Sequence, residues 1–241
     1  MKTKIVLSVL LSMFFYISVY GQQIYLIPQI SLNVSAYDFS ETISNSDNQR
    51  FSPGFTAGVG LNLSLDELQT FSLHPEINYS FRTSKIDRPI ATGQGTSSSV
   101  SVLQQQTTMH YIEVPFLARF DFGINTKYYI NIGPSFAYAL AGKEKQQNDS
   151  APGTNYNRSA DFANRFNRTD WSAVIGGGME FPVNDGFINL DARFSWGFNT
   201  LYKSRETNVT NTAGGINTVR VGPEGKNRLF MLGIGYALPL N

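Results

Sequence analysis

The chain has 241 residues and no cysteine, with 19 Lys and Arg against 18 Asp and Glu, 15% charged residues, 13% aromatic residues and 21 glycines. The lack of cysteine excludes disulfide staples and thiolate chemistry. The near-neutral balance argues against a nucleic-acid partner, which needs a concentrated basic face, and the low charged fraction argues against an ordinary soluble domain.

The first segment reads as an address. Lys2 and Lys4 precede an apolar run from Ile5 to Val19, and Val19 and Gly21 stand at the small-residue positions of a cleavage site before Gln22. This layout predicts a secretory signal peptide over 1–21 and one exported domain over 22–241. The competing reading is an uncleaved anchor, but the run falls short of the roughly 20 apolar residues a spanning helix needs. Removing Lys2 and Lys4 leaves 17 basic residues against 18 acidic ones.

From Ile24 onward the pattern has period two, the signature of strands whose successive side chains point to opposite faces. In the first strand Ile24, Leu26, Ile30, Leu32 and Val34 oppose Gln29, Ser31, Asn33 and Ser35. In the second, Phe55, Ala57, Val59, Leu61 and Leu63 oppose Thr56, Gly58, Gly60, Asn62 and Ser64. The third sets Phe71, Leu73, Ile77, Tyr79 and Phe81 against Ser72, His74, Glu76, Asn78 and Arg82. The fourth sets His110, Ile112, Val114, Phe116 and Phe120 against Glu113, Arg119 and Asp121. Four more stretches follow the same rule, over 128–140, 171–181, 188–198 and 230–238.

These stretches run to about 10 to 14 residues, whereas strands of soluble sandwiches usually have about 5 to 6 and tilted membrane strands need roughly 9 to 11. The breaks alternate in length: short near 66–68, 123–126 and 182–186, long and polar over 38–53, 83–108, 141–169 and 199–226. Short periplasmic turns and long external loops are the habit of outer-membrane barrels. The expectation is therefore an all-β, eight-stranded antiparallel transmembrane up-and-down barrel, with the bulky face toward lipid and the polar face in the lumen. Aromatic girdles are expected at both rims, with Phe81, Tyr138, Trp171, Trp196 and Phe198 outside and Phe71, Phe120, Phe181 and Tyr236 inside.

His110-Tyr111-Ile112-Glu113-Val114-Pro115-Phe116 resembles the aromatic-x-Glu-aliphatic-Pro motif in strand four of the PorT-like outer-membrane β-barrel family of Bacteroidota. Gly133-Pro134-Ser135 and Gly233-Ile234-Gly235-Tyr236 are similar to that family as well. The resemblance spans the exported domain and implies an eight-stranded barrel in the outer membrane; some relatives are linked to protein secretion.

Inward parity gathers His74, Glu76, Glu113, Arg119, Glu180, Asp191 and Arg193 in the lumen, with Arg119 expected near His74 and Glu76. One reading is a polar conduit. The other is a network of ion pairs filling a barrel whose interior is just wide enough for side chains. His110 faces lipid at the outer rim and has no acid at a spacing suited to acyl transfer. Two histidines of opposite facing and no cysteine cannot build a closed metal site, and no cofactor is expected. Gly176-Gly177-Gly178 lies within a strand with no helix after it, so it reads as relief of crowding rather than a phosphate cradle. The polar stretches 94–108 and 146–167 read as solvated loops or as a binding surface for a protein or glycan.

The functional expectation is a non-enzymatic barrel with a plugged or narrow lumen, in contact with outer-membrane lipid. A small-solute pore, an accessory subunit of a secretion system and a lipid-modifying enzyme are the alternatives.

Overall fold

The structure is a computed structural model that describes residues 23–39, 48–92, 99–123, 126–148, 156–158, 166–201, 203, 205–210, 216–221 and 225–240. The expected leader, 1–21, lies outside the described residues. The strands are β1 (Ile24–Phe39), β2 (Asn48–Ser64), β3 (Phe71–Thr92), β4 (Ser99–Phe122), β5 (Lys127–Asn148), β6 (Tyr156–Arg158), β7 (Thr169–Val183), β8 (Gly186–Thr200), β9 (Arg205–Thr210), β10 (Ile216–Val221) and β11 (Gly225–Pro239).

Eight of them form one closed antiparallel ring in the order β4-β3-β2-β1-β11-β8-β7-β5, and β5 pairs back onto β4. Closure leaves no open ladder, which any strand assembly in lipid requires. The first and last strands close the seam, with Leu26 opposite Leu238 and Ile30 opposite Ile234. Tight turns join the strands at one end. Asp66 caps its turn by accepting from the backbone N–H groups of Phe71 (2.8 Å) and Thr70 (3.0 Å). The β7–β8 turn has two residues, and Asn184 takes φ 55°, a left-handed conformation that asparagine tolerates in such hairpins.

The alternation sorts side chains as the pattern demands. Leu32 is 73% exposed while its neighbour Asn33 is 0%. Trp196 is 52% exposed while Ser195 is 6%. Inverted burial of this kind, apolar outside and polar inside, is the arrangement of a barrel in lipid. The aromatic rims form cross-strand pairs: Phe71 with Phe120 at 4.8 Å near the tight turns, and Phe55 with Phe81 at 5.6 Å and Phe136 with Trp171 at 4.8 Å toward the other end.

One expectation needs correction. The stretch 83–108 is largely strand, not loop: β3 and β4 stay paired from Arg82–Met109 to Thr92–Ser99. β5 continues beside β4 as far as Asn148 opposite Leu103. The polar Ser, Thr and Gln of this region read as loop because they do not alternate with bulky residues. Outside lipid neither face has to be apolar, so the ladder persists without its hydrophobic signature. Part of the wall therefore projects well beyond the barrel, and the β2–β3 and β4–β5 registers slip between Phe51 and Phe55 and between His110 and Tyr111, where bulges let the sheet re-aim. The expected loop over 199–226 likewise holds the hairpin β9–β10.

Candidate functional site

The inward side chains fill the ring in layers. At the tight-turn end Tyr25, Ile27 and Ala237 form a buried apolar cluster with Phe187 against it, and the Tyr25 and Phe187 rings meet edge to face at 5.8 Å. At the opposite end Met109, Tyr111, Ala137 and Ala139 are joined by Phe166 and Leu201 in a second buried apolar cluster. Backbone bonds from Asn167 to the Leu201 carbonyl (2.8 Å) and from Ala139 to the Arg168 carbonyl (2.7 Å) tie the chain around that cluster to the rim.

Between these caps lies the charged layer. Arg193 of β8 donates to Glu76 of β3 at 2.6 Å and stands 2.5 Å from Asp191 as an ion pair. Glu76 also accepts from His74 (2.8 Å), Gln29 (2.8 Å) and Asn78 (2.7 Å). Asp191 receives the Tyr129 hydroxyl at 3.0 Å, and the Tyr129 ring carries the Arg119 guanidinium at 3.8 Å. Arg119 in turn reaches Glu180 at 2.6 Å and Asp121 at 2.5 Å. Nearer the projecting wall Arg82 pairs with Glu113 and lies 4.8 Å from the Tyr111 ring. Buried charges are tolerable only with such partners, since removing one leaves the other stranded.

All seven charged or titratable side chains expected inside are therefore inside, but not all meet as expected. Arg119 does not pair with His74 or Glu76; its partners are Asp121 and Glu180. The β3–β4 register sets Ser72 opposite Arg119 and Leu117 opposite His74, so the long guanidinium crosses β5 over Tyr129 instead. The partner of Glu76 comes from the far wall. Arg82, Asp121, Tyr129 and Gln29 belong to the network without being singled out by the sequence pattern, although each has the inward parity of its strand.

The glycine run is explained by this crowding. A Cβ on Gly178 would lie 2.5 Å from the Tyr129 hydroxyl, and one on Gly176 would lie 2.6 Å from both Arg193 Cγ and Asn131 Oδ1. What space remains is slight. Cavities beside His74 and Arg119, and beside Glu113 and Arg193, measure about 10 Å³ each, roughly the room that one water needs. Among the described residues no three His, Cys, Asp or Glu side chains converge as metal ligands. His110 sits outside the ring, where its Nδ1 is 2.6 Å from the Tyr79 hydroxyl and the Phe81 ring stands edge-on at 5.2 Å.

The sequence matches the model of the outer membrane protein beta-barrel domain over residues 22–203. The chain belongs to this family. Its place is thus the outer membrane, and the tight-turn end of the barrel is the periplasmic end. No functionally curated protein matches the sequence. The barrel is similar to Ail, the attachment invasion locus protein of Yersinia pestis, at 13% identity and a TM-score of 0.38, over 90% of this chain and 98% of that one. It is also similar to OprG from Pseudomonas aeruginosa at 10% identity and a TM-score of 0.42, over 90% and 96% of the two chains. A major outer membrane protein from Thermus thermophilus matches at 8% identity and a TM-score of 0.40, over 91% and 100%.

Proposed function

We propose that this outer-membrane barrel is a non-enzymatic, PorT-like member of its family whose interior is a plug, and whose role is structural or carried by its external segments. The observation behind this reading is the Arg193–Glu76 pair at 2.6 Å. It crosses the ring between strands that lie four places apart in either direction. An ion pair across the full diameter, between an apolar cluster at each mouth, leaves no continuous path for a solute.

Residues 1–21 act as the leader removed on export. The projecting wall of β3, β4 and β5 and the segments around it offer the protein- or glycan-binding surface, since recognition on a rigid scaffold collects in its connections. The lipid-modifying alternative loses ground at His110, whose ring nitrogen is engaged by a phenol and not a carboxylate.

Liposomes carrying the refolded full chain are expected to stay impermeant to a pentose. Swelling at the rate given by a general porin would overturn the plug in favour of the small-solute pore. Recovery of a stable stoichiometric partner from mild detergent would place the role in an assembly such as a secretion machine.

A further inference from the structure

The projecting wall has an outward face as well as an inward one, and its composition is one-sided. Arg50 of β2 lies opposite Lys85 of β3, Lys85 lies opposite Gln106 of β4, and Gln106 lies opposite Lys145 of β5. These four residues form one straight row across four strands. Lys143 stands one outward position nearer the membrane, opposite Thr108. Arg50, Lys85, Lys143 and Lys145 are all exposed, while Glu144 between the two lysines is buried on the inward side. Among the described residues of this face the carboxylate is Asp87, which holds Arg50 at 2.7 Å.

The row sits directly above the apolar belt of the same strands. Lys85 follows Phe81 by four residues, which at the rise of a tilted strand is roughly 10 Å above the aromatic rim. That sets the row a few Å past the lipid head groups, which add about 5 to 8 Å on each side of the hydrocarbon, and lysine side chains reach back to that level along the apolar surface. Like charges directly opposite on neighbouring strands repel, and Arg50, although held by Asp87, stands opposite Lys85. A shared anion removes the repulsion. Gln106 and Thr108, between the cations, add neutral donors suited to phosphate oxygens. The periplasmic turns carry Asp66, Glu67 and Asp185, with Lys127 at the start of β5 beside them.

We propose that the outward face of the β2–β5 wall is a docking surface for the phosphate groups of the anionic glycolipid in the outer leaflet, which it grips through Lys85, Lys143 and Lys145. The surface is continuous with the lipid-facing belt and works whether or not the lumen conducts.

The test uses the refolded full chain in detergent, titrated with diphosphorylated lipid A and with the same lipid stripped of phosphate. Binding is read by native mass spectrometry. Wild-type protein is expected to bind the phosphorylated lipid about tenfold more tightly than the stripped lipid, a preference that the K85Q/K143Q/K145Q variant loses and that rising salt weakens. Because these side chains are exposed, the variant should keep the heat-dependent gel mobility of a folded barrel. A single K127Q change at the periplasmic rim should leave the preference intact. Equal binding of the two lipids by wild-type protein, or an unchanged preference in the folded triple variant, would overturn the proposal. So would retention of a soluble polyglutamate with no retention of the lipid, which would assign the face to an acidic protein.

Discussion

Arg193 and Glu76 face each other from opposite walls of the barrel and meet at 2.6 Å in its middle. Neither is adjacent to the other in sequence, in hairpin or in sheet order. The pair therefore braces the ring across its diameter, and its other ligands, Asp191, His74, Gln29 and Asn78, tie the brace to β1 as well as to β3 and β8. Truncating one partner of a buried pair strands the other charge, at a cost of about 3–5 kcal/mol. Arg193→Ala should lose stability on that scale, measured by urea unfolding in detergent. Glu76→Gln combined with Arg193→Met should lose clearly less than the sum of the single changes, and strict additivity would mean that the pair is not coupled.

Gly178 and Tyr129 form a second pair whose coupling is steric. A methyl group at Gly178 would meet the Leu190 carbonyl oxygen first and the Tyr129 hydroxyl at 2.5 Å, while that hydroxyl is held on Asp191 at 3.0 Å. Gly178→Ala should destabilise by about 1–3 kcal/mol, the usual cost of overpacking. The added cost should shrink in a Tyr129→Leu background, since residues in contact are non-additive. A cost that stays the same when the ring has been removed in this way would place the strain in the strand rather than against the ring.

The barrel itself was legible because lipid enforces the alternation. Leu32 and Asn33, or Trp196 and Ser195, cannot exchange faces without putting polar groups in hydrocarbon. Three things were hidden for physical reasons. Beyond the membrane the selection for an apolar face lapses, so β3, β4 and β5 carry on through Thr107, Gln105 and Ser84 with no periodic signal to mark them. Inside, parity says which side chains enter the lumen but not which ones meet there. That depends on strand tilt and stagger around the closed ring, and so Arg193 reaches Glu76 while Arg119 goes to Glu180. The apolar mouths are hidden too. Tyr25 and Ile27 have the inward parity of β1, yet they read as ordinary members of an apolar strand.

The β2–β3 turn gives a pH signature. The backbone N–H groups of Phe71 and Thr70 hold the Asp66 carboxyl below its ordinary value. A depressed folded value means that stabilisation is present above the unfolded carboxylate range and is lost as pH falls through the folded one. The stability gap between wild type and Asp66→Ala should thus be full at about pH 6 and should close as the pH drops below about 4. A gap that is constant with pH would show that the turn does not use the charge.

At the external rim His110 is bound to Tyr79 at 2.6 Å and flanked by Phe81, which makes it part of the aromatic girdle. His110→Phe should fold, retain its heat-dependent gel mobility and leave the mass spectrum of the host's lipid unchanged on overexpression. A lipid mass shift that depends on His110 would contradict the non-enzymatic reading.

Single-channel recording of the refolded protein in a planar bilayer reads out whether the side chains close the lumen. Wild-type protein should insert without conductance steps, whereas Arg193→Ala should admit small cation-selective steps, because carboxylates at Glu76, Asp191, Glu180 and Glu113 would then outweigh the arginines that remain. Steady, salt-dependent steps from the folded wild-type barrel would mean that the lumen is open.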